Sequence, residues 1–202
     1  MVDVVAYGKR PPALALAVAF FCVGLFQEGG ALAQNAPLAE KIQLCSACHG
    51  EDGNSKMEKI PSLAGQPAFF ILNQLFLMRE GVRKVEAMAA IVKDLKDDDL
   101  TNLSEHFAAL APKRSDEAVD AALAKKGAEI AAHRRCSSCH LPSLAGQEQM
   151  PRLARQRIDY LIDTLKSYRD SPRPGADTAM SAAIAGATDS DITALAHYAA
   201  SL

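Results

Sequence analysis

The pentapeptide CSACH, Cys45 to His49, recurs as CSSCH, Cys136 to His140. Nothing else in this 202-residue chain limits its fold so strongly, because four of its five cysteines stand in these two copies. The surrounding sequence repeats as well. IPSLAGQ, Ile60 to Gln66, matches MPRLARQ, Met150 to Gln156. Arg79-Glu80 matches Arg169-Asp170, Arg83 matches Arg173, and Met88 matches Met180. The offset between copies drifts by only one or two residues, as small loop changes would leave it. The chain is a tandem duplication of a unit of about 80 residues, with too few copies for a solenoid.

Each copy reads as helical. Alanine and leucine are abundant, and both favour helix. A short helix over Pro37 to Leu44 leads into the first motif, with Pro near its start. A longer one, Asp116 to Arg135, leads into the second, with Ser115 as its N-cap. Ala68 to Met78 and Ile158 to Tyr168 carry apolar residues at spacings of three and four. Residues 97–110 and 189–201 open with acidic side chains that suit a helix N-terminus. There is no sustained period-two alternation, so the expected class is all-α. APKRS, Ala111 to Ser115, is the expected linker, with Pro112 as helix breaker. Aromatic residues make up only 5% of the chain and Trp is absent. A large buried cofactor would supply the apolar area that such a core lacks.

The N-terminus reads as an export signal. Lys9 and Arg10 precede the apolar run Pro11 to Phe26, and Ala31-Leu32-Ala33 offers small residues for a signal peptidase. Residues 1–33 are therefore expected to be a cleaved signal peptide. The competing reading is a retained anchor, but the run falls short of the roughly 20 residues that span a bilayer. Cys22 follows two Phe rather than the small residues of a lipid-attachment site. No later segment is apolar enough to cross a membrane. The mature chain is expected to be soluble in an oxidising compartment, where bare cysteine pairs tend towards disulfides.

Cys-x-x-Cys-His is the attachment signature of c-type haem. One helical turn places two thiols where they can add to the two vinyl groups of a porphyrin edge, and the next residue points an imidazole at the iron. Three other readings compete. A thioredoxin-like dithiol keeps company with a βαβ pattern that is missing here. A four-cysteine zinc site leaves both histidines unexplained. Disulfides closing such short loops stabilise little. The expected cofactors are two covalently bound haem c groups, held by Cys45, Cys48, Cys136 and Cys139.

His49 and His140 each take a fifth position on iron, and a methionine in the sixth closes the site. Only Met88 and Met180 occupy matching positions, 39 and 40 residues after their histidines. Met57, Met78 and Met150 have no such match, and a lone Met is usually core filler. His106, His133 and His197 do not repeat and read as surface or partly buried residues. A carbonyl near Pro61 or Pro151 could accept the other ring N–H of each axial histidine, or these could be turn prolines. Arg79, Arg83, Arg169 and Arg173 could pair with haem propionates, or stand solvated at helix ends.

Taken together, the two CxxCH motifs, the PxLAxQ-like stretches, the Arg-acidic pairs and the Met before an acidic-led helix resemble the dihaem cytochrome c4 family across residues 34–202. The resemblance implies two tandem class I cytochrome c domains, 34–111 and 112–202, facing each other with haems close enough for fast electron exchange. It implies that Pro61 and Pro151 give carbonyls to the axial histidines and that Met88 and Met180 are distal ligands. One departure is local: Gly50 follows the first motif, whereas Leu141-Pro142-Ser143 follows the second. Another is an insertion in PGADTAM before Met180.

The expected function is electron transfer in the periplasm, without catalysis. Electrons would pass from a quinol-oxidising complex or dehydrogenase to a terminal oxidase or reductase. A cytochrome subunit of a flavocytochrome sulfide dehydrogenase or an alcohol dehydrogenase is the alternative. A peroxidase is a third reading, against which the matched methionines argue. The partners are redox proteins; nucleic acid is not expected. The first half is net acidic and the second slightly basic, so a mild dipole can orient a partner. Arg134, Arg135, Arg152, Arg155 and Arg157 mark the second half as the expected docking face.

Overall fold

The computed structural model describes residues 30–171 and 178–202, with side chains of the first helix from Leu38 onward. Residues up to 29 of the expected signal peptide, Cys22 among them, Arg173 and most of the PGADTAM insertion lie outside the described residues.

Helices α1 (Gly30–His49), α2 (Ala68–Arg79), α3 (Glu86–Val92) and α4 (Asp97–Ala108) form the first half. Helices α5 (Ala121–His133), α6 (Ser137–His140), α7 (Ile158–Asp170), α8 (Thr178–Ile184) and α9 (Asp189–Ser201) form the second. The described residues contain no strand, only an isolated bridge between Gln147 and Met150. The all-α expectation holds. Within the first half, α2 packs on α3 and α4, and α1 on α4; within the second, α9 packs on α5 and α7, and α7 on α8.

The lead-in helices differ from expectation. α1 starts before Pro37 and runs through the whole first motif, because no breaker stands between Pro37 and Gly50. There the backbone turns to a φ of +89°, and a Cβ would lie 2.4 Å from the Asn54 carbonyl oxygen. In the second half α5 starts at Ala121 rather than Asp116. Its N-cap is Asp120, whose Oδ1 accepts from the Ala122 and Leu123 N–H groups at 2.8 and 2.9 Å. Ser115 is not a cap, because its neighbours are used elsewhere. Glu117 turns back to accept the Ile158 and Asp159 N–H groups at 2.7 and 2.9 Å, capping α7, which has no side-chain cap of its own.

The last helices start as their acidic residues require. Thr188 and Asp191 form a reciprocal capping box on α9. On α4, Asp99 accepts from the Lys96 N–H at 3.0 Å and pairs with Lys41 of α1 at 2.5 Å. Leu100, Leu103 and Phe107 of α4 are fully buried with Ile71, Leu75 and Val92. The second half buries two clusters, one around Leu144, Ile158, Leu161 and Ala196, the other around Leu165, Ile184, Ile192 and Leu195.

The halves meet through the two copies of the repeated PxLAxQ-like segment. Gln66 donates Nε2–H to the Arg152 carbonyl and accepts the Arg152 N–H, both at 2.9 Å. Gln156 does the same to Ser62, at 2.9 and 2.8 Å. Ser62 and Arg152 are repeat equivalents, as are Gln66 and Gln156, so the contact is self-complementary like that of a twofold dimer. All four residues are buried. Arg152 adds a hydrogen bond to the Ala64 carbonyl at 2.8 Å, and the Lys59 N–H reaches Asp159 at 3.0 Å.

Candidate haem sites

The first motif lies within α1, the second runs from the N-cap Cys136 into α6, and each presents its histidine inward. His49 and His140 are only 7% and 6% exposed. The Nδ1 of His49 lies 2.8 Å from the Pro61 carbonyl oxygen, and that of His140 lies 2.8 Å from the Pro151 carbonyl oxygen. A carbonyl can only accept, so Nδ1 must carry the proton in both rings. The Nε2 lone pair is left free to bind a metal. Burial pushes both imidazole pKa values down, and the carbonyl contact pulls them partly back.

The thiols are free. Cys45 packs against the cluster of Ile71, Leu100 and Phe107, and Met88 of α3 packs against the same cluster. Cys136 and Met180 of α8 likewise share the cluster of Leu165, Ile184 and Ile192. Burial raises the Cys45 and Cys136 thiol pKa values. Cys48 faces a groove with Gly50, Asn54 and Met57, and Cys139 is exposed. In each half one thiol meets the core and the other an open side, and the buried imidazole has its tautomer fixed. This donor set fits a porphyrin bound along one edge with its iron facing the histidine.

Of the unmatched methionines, one shares the first core with Met88 and one faces outward. Met78 packs on the first core and Met57 is 48% exposed. His133 is exposed. His106 stacks edge-on with Phe107, and His197 accepts the Asp120 N–H at 3.0 Å. Both therefore have structural partners.

The arginines divide differently from expectation. Arg79 pairs with Glu80 and Asp97, at 2.9 and 2.8 Å, and donates to the Leu95 carbonyl. Arg169 repeats this with Asp170, Asp189 and the Ala187 carbonyl. Both fasten the end of one helix to the start of the last, so their guanidinium groups are already matched by protein carboxylates. The docking face also changes. Arg152 and Arg157 are 4% and 5% exposed. Arg157 pairs with Asp116 and Asp159 and reaches the Ser55 carbonyl of the first half. Arg155 holds the Leu202 and Pro112 carbonyls. Arg152 and Arg157 close the contact between halves, while Arg155 is exposed and ties the linker to the last residue of its own half. Of the five, Arg134 is tied to the Ala183 carbonyl and Arg135 is exposed.

Two functional positions escape the sequence reading: Gln66 and Gln156, which clamp the halves. Their only signal is that a polar residue closes both copies of the repeated segment.

The second loop, which departs from the first by lacking the glycine after its motif, takes a left-handed backbone there. Leu141 stands where Gly50 stands in the first half, at φ +69° and ψ 160°. Gly146 then takes a φ of +73°, where a Cβ would lie 2.4 Å from the Met150 carbonyl oxygen.

Comparison with known proteins agrees with this geometry. The cytochrome c family profile matches residues 124–202. Cytochrome c4 of Pseudomonas aeruginosa is 31% identical over 169 residues, covering 78% of this chain and 83% of that protein. The structure of reduced recombinant cytochrome c4 from Pseudomonas stutzeri superposes with a TM-score of 0.74 at 30% identity, covering 82% of this chain and 97% of that one. The thiosulfate dehydrogenase electron acceptor of Thiomonas intermedia is 28% identical over 167 residues, covering 77% of each chain. Two attachment motifs, each with a buried, tautomer-fixed histidine, on a tandem helical scaffold that its relatives share, place this chain in the cytochrome c4 family of electron-transfer proteins with two covalently bound haem c groups.

Proposed function

We propose that the protein is a periplasmic electron carrier. It accepts electrons from a quinol-oxidising complex or a dehydrogenase and passes them to a terminal oxidase or reductase. In this reading residues 34–111 and 112–202 are its two domains, and residues 1–33 are removed on export. Cys45, Cys48, Cys136 and Cys139 hold the porphyrins. His49 with Met88, and His140 with Met180, are the axial pairs.

When bound, each haem supplies a one-electron iron couple. The chain does the rest. Pro61 and Pro151 fix the imidazoles and raise their basicity. Met88 and Met180, each seated on the core that holds its own first cysteine, close the distal sides to water and small ligands. The observation that supports the reading is this match between halves, a paired methionine and first cysteine on one core in each.

The test is the visible spectrum of the reduced holoprotein before and after carbon monoxide. The spectrum should not change. A shift at either haem would mean a labile sixth ligand and would replace the carrier by a ligand-binding or peroxidase-like protein.

A second reading makes this chain the dedicated cytochrome partner of a dehydrogenase. It is supported by the likeness to the Thiomonas intermedia protein, an electron acceptor of thiosulfate dehydrogenase. Copurification with a catalytic subunit at fixed stoichiometry would favour it.

A further inference from the structure

The two interdomain clamps end on the peptide groups that hold the histidines. The carbonyl of Pro61 and the N–H of Ser62 belong to one peptide. Its oxygen accepts from His49 Nδ1 at 2.8 Å, and its N–H donates to Gln156 Oε1 at 2.8 Å. The same holds in reverse: the Pro151 carbonyl accepts from His140 Nδ1 at 2.8 Å, and the Arg152 N–H of that peptide donates to Gln66 Oε1 at 2.9 Å. Each histidine is thus the end of a three-member chain whose first member comes from the other half.

We propose that Gln66 and Gln156 are crossed positioning residues, each setting the donor strength of the axial histidine in the opposite half. Hydrogen bonds in series polarise one another. When a peptide N–H donates to a good acceptor, its own carbonyl becomes a better acceptor. Gln156 therefore strengthens the hold of Pro61 on the His49 N–H. A histidine whose second N–H is held more strongly is a more basic ligand, and a more basic ligand favours oxidised over reduced iron. Gln156 holds the potential of the first haem down, and Gln66 does so for the second.

Burial makes the effect local. Gln66 and Gln156 are 4% and 2% exposed, so water does not replace either clamp. The two chains differ in one respect. Ser62 is neutral, whereas Arg152 brings a buried guanidinium that makes no ion pair among the described residues and whose Nε has no hydrogen-bond partner. Its burial pulls the guanidinium pKa down to about 10. That guanidinium donates to the Ala64 carbonyl, so its charge sits at the joint between the halves. The same crossed contact that joins the halves lets a change at their interface reach both irons.

The inference rests on the axial roles proposed above for His49 and His140. In the parent, reduced and labelled with ¹⁵N-histidine, the ring resonances of both should be shifted by the porphyrin. If they are not, the ligand assignment fails, and this inference with it, before any variant is read. The test proper is Gln156→Met, which keeps the volume and removes both clamp bonds. The His49 Nδ1–H resonance should move upfield, hydrogen exchange of the Ser62 N–H should speed up, and the potential of the first haem should rise. His140 and the second haem should stay close to the parent. Gln66→Met should give the mirror result. If Gln156→Met does not take up haem, Gln156→Asn, whose amide is one methylene too short to span both bonds, is read the same way. A shift confined to His140, an equal shift at both histidines, or none at either overturns the proposal.

Discussion

Gly127 of α5 lies directly against the backbone of Ala194 in α9: a Cβ on Gly127 would stand 2.0 Å from the Ala194 carbonyl oxygen. The same Cβ would meet the Tyr198 Cβ at 2.7 Å. Only a residue without a side chain permits this crossing. Gly127→Ala should force the two helices apart, and overpacking of this kind costs about 1–3 kcal/mol. Thermal unfolding followed by circular dichroism at 222 nm should show a lower midpoint. An unchanged midpoint would mean that α5 and α9 have room between them.

Leu141 occupies backbone space that its counterpart Gly50 takes without a side chain. A non-glycine residue there costs on the order of 1–3 kcal/mol. Some of that is returned when glycine frees the unfolded chain. Leu141→Gly should raise the stability of the holoprotein by about 1 kcal/mol, read by denaturant titration. A loss would show that the Leu141 side chain contributes more packing than its backbone costs.

Met88 and Met180 should act separately. Met180→Ala should open one site, binding about one equivalent of carbon monoxide per reduced molecule, with the potential of that haem lowered. Met88→Ala should do the same at the other haem. The double variant should bind about two equivalents. Carbon monoxide difference spectra and redox titration check this, and a variant that stays closed would point to a replacement ligand from the chain.

Asp52 provides a pH test. The Lys113 amine, 2.6 Å away, and the Asn54 N–H hold its carboxyl down to about 2. A carboxylate with a lowered folded-state pKa contributes stability that is fully present above its unfolded value near about pH 4 and is lost as pH falls through about 2. The pair is solvent-exposed, so its contribution is at most about 1 kcal/mol. Asp52→Asn should unfold at a slightly lower temperature than the parent at neutral pH, and the gap should close between about pH 4 and about pH 2. A gap that does not depend on pH would mean that the Asp52 charge is not what stabilises this loop.

The parts of the fold that could be seen in sequence were those written in both copies. The motifs, the paired methionines and helices α2, α4, α7 and α9 repeat, and each carries a local signal: spacing, an acidic first turn, or a cysteine pair. Helices α3 and α8 are seven residues each, two turns, too short for a periodic pattern to stand out. Ser115 looked like a cap because the local pattern allowed it; Glu117 and Asp120 took the work through contacts with α7 and α5 that sequence does not display. The arginines mark the boundary most clearly. Arg152 and Arg157 read as solvent-facing cations, and charge alone supports that. They are buried because the interface between halves closes over them, an event that depends on how two distant segments meet. Gln66 and Gln156 were hidden for the same reason: a polar side chain announces a hydrogen bond, but not its partner.

The reciprocal clamps recognise main-chain groups, and this decouples assembly from composition. The side chain at the gripped position makes neither clamp bond, so Ser62 and Arg152 can differ in size and charge while the grip on each peptide is the same. A duplicated unit held together in this way starts as two equal halves. Mutation can then make one half electrically unlike the other without loosening the joint, and so turn a symmetric pair into a protein whose two ends are distinguishable to whatever binds them.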